Sequence, residues 1–322
     1  MPRSKRSRGT TGVLALLVLL VCTSCSFGGD GRTGDGDSAS VSDQAQRQGG
    51  GGLTQLGREL PESIQTRREL RVGADISYAP FEFYDALAPD VLERPAGEPE
   101  PTVRGVDYEL AVLLGQKLGV RVSFVQVGFD DLLGELGAGG IDVVMSAMNA
   151  TEERAKRATF LEYFEAGTSI LVAKGNPSNV GRLTDLCGRT IAYQEGTVQQ
   201  DIATELRSRC DPGRQPKTLA LPSGTQAILA VKNGRADACL TDFPVAAYNV
   251  KVSRDGNDFE IAGEPIDPAP YGIAIKKDNR ELENALRQAL AAIVSDGSYD
   301  RVLERWGLTE GAVRDAGGEE AG

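Results

Sequence analysis

Asp107-Tyr-Glu-Leu-Ala-Val-Leu-Leu-Gly-Gln-Lys-Leu118, followed by Gly119 and then Val120-Arg-Val-Ser-Phe-Val-Gln-Val127, sets two periods back to back. Leu110, Leu113, Leu114 and Leu118 recur at three- and four-residue spacing, which gives a helix one apolar face, and Gly119 can end it. Val120–Val127 is rich in β-branched residues and reads as a strand. The same alternation extends outward on both sides. Leu70–Ala74 is a strand before this pair; Asp130–Gly137 is a short helix and Ile141–Ser146 a strand after it. Thr151 then caps a helix whose first turn holds Glu152 and Glu153, as the helix dipole favours. Further strands are expected at Thr168–Lys174, Thr190–Tyr193, Thr218–Leu221, Ala236–Leu240 and Tyr271–Lys276. Helices are expected at 198–207, 224–233, 244–252, 280–294 and 298–306. Such β–α alternation implies an α/β fold with mostly parallel sheets covered by helices. Residues 87–103, rich in Pro and Glu, interrupt the pattern and read as a surface extension.

With 322 residues, the chain is long enough for two lobes with separate cores. It carries 35 Lys and Arg against 46 Asp and Glu, a net charge of −11, and four of the cations fall in the first 24 residues, which hold no acid. An acidic surface argues against nucleic acid as a partner. The chain has no histidine, which excludes serine–histidine and cysteine–histidine catalysis and removes the commonest zinc ligand. No metal and no cofactor is expected.

Arg3, Lys5, Arg6 and Arg8 precede the nine-residue apolar run Val13–Val21, which ends in Cys22-Thr-Ser-Cys25. So short a run cannot cross ~30 Å of hydrocarbon as a helix and reads as the core of a signal peptide. Its end resembles a bacterial lipoprotein signal, in which a cysteine after small residues is lipidated. Cys25, behind Thr23 and Ser24, suits that role better than Cys22, which follows Val21 and stands where the pattern usually has Leu. The resemblance implies signal peptide 1–24 and anchoring through Cys25 on the extracytoplasmic face of the cell membrane; the alternative is a cleaved, freely secreted product. Residues 26–52, nearly devoid of apolar side chains, cannot bury enough surface to order themselves and read as a tether with a reach of about 30 Å. The tether is taken to extend over 25–67, and 311–322 as a tail.

Outside the membrane disulfides persist. Cys187 and Cys210 both sit at element ends near turns, whereas Cys239 lies inside the strand-like run Ala236–Leu240, where a thiol packs as a hydrophobe. A Cys187–Cys210 bridge with Cys239 free is expected.

Seven segments, in order between about 68 and 308, resemble the family 3 bacterial extracellular solute-binding proteins, the substrate-binding lipoproteins of polar amino acid ABC transporters. They are Leu70-Arg-Val-Gly-Ala-Asp-Ile-Ser-Tyr-Ala-Pro-Phe-Glu-Phe83, Gly105-Val-Asp-Tyr-Glu-Leu-Ala111, Ile141-Asp-Val-Val-Met-Ser-Ala-Met-Asn-Ala-Thr-Glu-Glu-Arg154, Gln194-Glu-Gly-Thr197, Gly234-Arg-Ala-Asp-Ala-Cys-Leu-Thr-Asp-Phe-Pro244, Pro270-Tyr-Gly-Ile-Ala-Ile275 and Asp296-Gly-Ser-Tyr-Asp-Arg-Val-Leu-Glu-Arg-Trp-Gly307. The second departs from the family in having Val where Phe is usual.

The resemblance implies a periplasmic-binding-protein-like type II fold, two lobes of mostly parallel sheets joined by a two-strand hinge. Lobe one would be 68–163 plus 271–310 and lobe two 168–265, with crossovers near 164–167 and 266–270. It also implies a site for a free L-amino acid. Arg154 would grip the α-carboxylate, to which a planar guanidinium fork is suited, and Asp242 the ammonium. Ala147 would offer its carbonyl to the ammonium, while Asn149 and Thr197 would serve the carboxylate. Tyr78 and Phe129 would wall the side chain, and Gln194 would stand at a specificity-setting position. Asp75 would face the ligand side chain, where a buried anion repels Glu and Asp and favours glutamine or a basic amino acid. Each residue also has a plain structural use: Arg154 as a surface helix residue, Asp242 as a helix cap before Phe243-Pro244, Asp75 as a turn residue, Asn149 and Thr197 as turn and cap residues, the aromatics as core.

The expected function is therefore extracytoplasmic capture of a polar amino acid and delivery to the permease subunits of an ABC importer, by a monomer that performs no chemistry. The alternative is an enzyme on the same fold resembling cyclohexadienyl dehydratases. A membrane sensor would need a second apolar span and a peptidoglycan-cleaving relative a further domain; neither is present in the sequence.

Overall fold

A computed structural model describes residues 52–85 and 102–313. The signal segment with Cys25, most of the tether, nearly all of the extension at 87–103 and the tail beyond 313 lie outside the described residues.

In chain order the elements are α1 (Glu62–Arg67), β1 (Glu69–Ala74), β2 (Ser77–Tyr78), β3 (Glu82–Tyr84), β4 (Val103–Arg104), α2 (Val106–Leu118), β5 (Arg121–Gln126), α3 (Leu132–Ala138), β6 (Val143–Val144), α4 (Glu152–Ala155), β7 (Ala158–Ala173), β8 (Thr190–Gln194), α5 (Val198–Arg209), β9 (Lys217–Leu221), α6 (Gly224–Lys232), β10 (Ala238–Asp242), α7 (Phe243–Val252), β11 (Phe259–Lys276), α8 (Arg280–Ser295) and α9 (Ser298–Trp306). Eight strands form one sheet in the order β5-β1-β6-β11-β7-β10-β8-β9, and β2, β3 and β4 form a separate small sheet. β1 lies parallel to β5 and β6 at one end, and β8 parallel to β9 and β10 at the other. The long antiparallel pair β7 and β11 joins the two ends. Its Tyr271–Lys276 stretch lies between β6 and Ala158–Phe164, while Thr168–Val172 runs beside β10.

The crossovers expected near 164–167 and 266–270 are thus interior parts of β7 and β11 rather than connections between shorter strands. Pro265, Pro268 and Pro270 hid β11 from a sequence reading, because proline cannot donate to a ladder and argues against a central strand. The structure accommodates them with irregularities: the register shifts between Ala262 and Ile266 and again between Ile266 and Ala269.

A second correction concerns 53–67, read as tether. A 3-10 turn at Leu56–Glu59 and helix α1 pack this segment onto the end that carries α2 and α8, with Leu60 and Ile64 buried. Leu53, Leu56, Leu60 and Ile64 recur at helical spacing, so the ordering force is an apolar stripe. Thr54 Oγ1 donates to the Lys117 carbonyl at 2.6 Å, and Gln288 Nε2 to Glu59 at 2.7 Å. Ala312, expected in the tail, forms a bridge with Phe164.

The remaining elements follow their residues. Gly119 ends α2 at φ 71°, where an L side chain is strained. In α8, Leu282, Ala285, Leu286, Ala289, Leu290 and Ile293 form one wholly buried stripe. Cys187 and Cys210 form a disulfide with Cα atoms 5.7 Å apart, and Cys239 is buried and free. Phe81, Phe164 of β7 and Tyr271 of β11 meet edge-on or tilted, with ring centroids 5.3–5.6 Å apart.

Candidate ligand-binding site

Parallel strands present their carboxyl ends as the natural ligand edge of an open α/β sheet. Asp75 follows β1, Ser146 and Ala147 follow β6, Gln194 ends β8 and Asp242 ends β10. Asp75, Tyr78, Phe129, Ala147, Asn149, Gln194, Thr197 and Asp242 converge on one cavity of about 10 Å³, joined by Ser146 and Gln199. Arg154 instead lines an adjoining cavity of about 220 Å³ that shares Phe129 and Thr197.

Arg154 stands in the four-residue helix α4, whose cap Thr151 accepts the Arg154 N–H at 3.3 Å. Its guanidinium donates to the Asn149 carbonyl at 2.9 Å and, across to the other half of the sheet, to the Gly196 carbonyl at 2.9 Å. It also lies 5.2 Å from the centroid of the Phe129 ring, a cation–π contact. Burial pushes its pKa down, opposed first by the field of Asp242.

Asp242 occupies the cap position of α7, yet its side chain makes no capping bond. It accepts instead from Tyr78 Oη at 2.8 Å and Gln199 Nε2 at 2.8 Å. Only 4% of it is exposed, and burial raises its pKa, against the pull of Tyr78, Gln199 and Arg154. Thr197 behaves similarly: at the cap position of α5 its hydroxyl donates back to the Gln194 carbonyl at 2.7 Å and caps nothing.

Asp75 is also 4% exposed and its pKa is raised by burial. It accepts from Gln194 Nε2 across the cleft, from Ser77 Oγ at 2.9 Å and from Gln126 Nε2 at 3.4 Å. The Ser77 bond is turn chemistry and the Gln194 bond is cleft chemistry, so both readings of this residue hold together.

Ser146, Gln199, Glu82, Asp107 and Tyr163 escaped the sequence reading as site residues. Ser146 Oγ accepts the Asp75 N–H at 3.0 Å and donates to Glu82 at 2.6 Å. Asp107 accepts the Ala147 N–H at 2.8 Å and the Tyr163 hydroxyl at 2.8 Å. Ala147 itself sits at φ 45°, a strained region for a residue with a Cβ, so this carboxylate holds a ligand-loop backbone that would otherwise relax. Burial lifts Asp107 to about 6. Burial and the charge of Asp107 lift Glu82 well above the carboxylate range. Their signal in the sequence was position alone, since all but Tyr163 and Gln199 fall inside the quoted segments. Among the described residues no cluster of three or more His, Cys, Asp or Glu could hold a metal, and no helix is long and apolar enough to cross a membrane.

A buried carboxylate, a half-buried guanidinium and a ring of hydrogen-bonding groups thus stand between the ends of two parallel strand sets. Residues 70–309 match the profile of the bacterial extracellular solute-binding proteins, family 3, and the chain belongs to that family. It is 28% identical to arginine-binding protein ArgT of Corynebacterium glutamicum over 260 residues, 80% of each chain. It is 27% identical to the ABC transporter glutamine-binding protein GlnH of Bacillus subtilis, over 63% of this chain and 72% of that one. A solved ancestral arginine-binding protein bound to arginine superposes with a TM-score of 0.66 at 34% identity, covering 74% of this chain and 98% of that one. AncCDT-1, an ancestral amino acid-binding protein described as a precursor of cyclohexadienyl dehydratase, gives a TM-score of 0.66 at 33% identity, covering 76% and 98%.

Proposed function

We propose that the chain captures a free L-amino acid between Arg154 and Asp242 and delivers it to an ABC importer. One observation supports this reading: a half-buried guanidinium and a buried carboxylate, carried by opposite halves of the sheet, face adjoining cavities that share Phe129 and Thr197. An α-carboxylate can replace the Asn149 and Gly196 carbonyls as the partner of Arg154. An α-ammonium can replace the Tyr78 hydroxyl and Gln199 amide at Asp242. Each exchange trades a neutral partner for a charged one, which is worth roughly twice as much. A ligand held this way contacts both halves only when they are together, so binding favours closure. The bodies that close are 68–163 with 271–310 and 168–265, bending within β7 and β11 at their register breaks. Attachment through a lipid on Cys25 and docking to permease subunits complete the cycle.

The ligand's side chain points to Asp75 and Gln194. A neutral or cationic side chain can donate to Asp75, whereas a carboxylate there would have to be neutralised. Relatives named for arginine, glutamine and lysine binding accord with that class. A thermal-shift screen of the twenty amino acids tests it. Arginine, lysine or glutamine gives the largest stabilisation; the largest shift from glutamate or aspartate would contradict the assignment of Asp75.

The likeness to AncCDT-1 supports a second reading, dehydration of a cyclohexadienyl substrate, with a protonated carboxyl as acid. Asp75 and Asp242, the carboxyls lining the smaller cavity, are both engaged as acceptors, which favours binding without turnover.

A further inference from the structure

We propose that the segment Pro222–Thr225 is the latch of the cleft, and that residue 224 is glycine because closure drives it against the ring of Tyr78. The inference rests on reading the cleft as an amino-acid site whose halves close. Gly224 opens α6 and is buried. Its backbone does not demand glycine, for it is not among the residues with positive φ. Where the conformation suits both residues, alanine leaves the unfolded chain less freedom to lose than glycine does. What forbids a side chain is the opposite half of the cleft. A Cβ on Gly224 would lie 2.7 Å from Tyr78 Cδ2 and 2.8 Å from Cε2, nearer than such atoms approach, and 3.3 Å from Gln194 Oε1. The ring cannot swing aside, because its hydroxyl is held by Asp242 at 2.8 Å and Thr241 at 3.2 Å.

Beside this contact Thr225 Oγ1 donates to the Ser77 carbonyl at 2.7 Å, a bond from one half of the sheet to the strand that carries Tyr78. Gln194, paired with Asp75, also reaches the Pro222 carbonyl at 3.4 Å. The latch therefore touches the aromatic wall, the specificity pair and the opposing strand at once. Closure is thereby tied to what fills the side-chain end of the site.

The test is a double-mutant cycle on the full chain, with L-arginine and L-glutamine as titrants in calorimetry. Gly224→Ala is expected to weaken binding about tenfold or more, chiefly through faster dissociation. Its ligand-free melting temperature should match or exceed that of wild type. In a Tyr78→Ala background, which removes the ring, adding Gly224→Ala should change affinity by less than about twofold. The latch is overturned if Gly224→Ala binds like wild type, if it weakens binding equally in both backgrounds, or if it lowers the ligand-free melting temperature. A wild-type chain that binds neither these nor any other amino acid overturns the functional reading and the latch together; an unaffected Gly224→Ala beside a binding wild type overturns the latch alone.

Discussion

Arg154 is half-buried and charged, yet it directs its hydrogen bonds to two main-chain carbonyls. A partly desolvated cation satisfied by neutral acceptors can gain from a carboxylate, and the bond to the Gly196 carbonyl across the sheet is more than a surface arginine needs. Asp242 and Thr197 were both read as possible caps; neither side chain caps its helix, and both residues line the cavity. Local sequence could not separate those uses, since Asp before Phe-Pro suits a cap and a ligand site alike. Asp75 makes the sharpest prediction for a single residue. Asp75→Asn keeps the shape and removes the anion, so affinity should fall most for a cationic amino acid and discrimination against glutamate should relax. Competition binding of arginine against glutamate on the two proteins measures this, and an unchanged ratio would place Asp75 outside ligand contact.

Helices and parallel strands were legible because their periods are local, and the observed α2, α5, α6, α8 and α9 lie within two residues of the expected ranges at each end. The central β7 and β11 were not, because their pairing partners lie about a hundred residues apart and their middles carry prolines and exposed glutamates. The strands that carry the candidate site residues were expected close to where they stand, the end of Ile141–Ser146 coming two residues too late and that of Ala236–Leu240 two too early against Val143–Val144 and Ala238–Asp242. At this scale the Cys187–Cys210 bridge joins the region before β8 to the end of α5, closing a sequence separation of 23. Replacing both cysteines by alanine should lower stability by ~3 kcal/mol on the chain-entropy account. Denaturant unfolding of the variant measures that loss, and peptide mapping without reductant would refute the pairing if Cys239 were found bridged.

Across the whole molecule buried carboxyls set the response to acid. Asp107 titrates at about 6 when folded, above its ordinary value, so the folded state holds a proton that the unfolded chain has released. Its contribution to stability is therefore complete below about pH 4 and lost as pH rises through about 6. Asp75, Glu82 and Asp242 are shifted the same way by burial. The ligand-free protein should melt higher at pH 5 than at pH 7, and Asp107→Asn should flatten that slope; a flat profile in wild type would contradict the buried acids. The central claim is that Arg154 and Asp242 hold the two ends of one amino acid. Calorimetric titration of L-arginine and L-glutamine into wild type, Arg154→Ala and Asp242→Ala tests it most directly. Loss of ~2–5 kcal/mol of binding free energy in each variant is predicted, because the surviving charge is left buried without its partner; either variant titrating like wild type would contradict it.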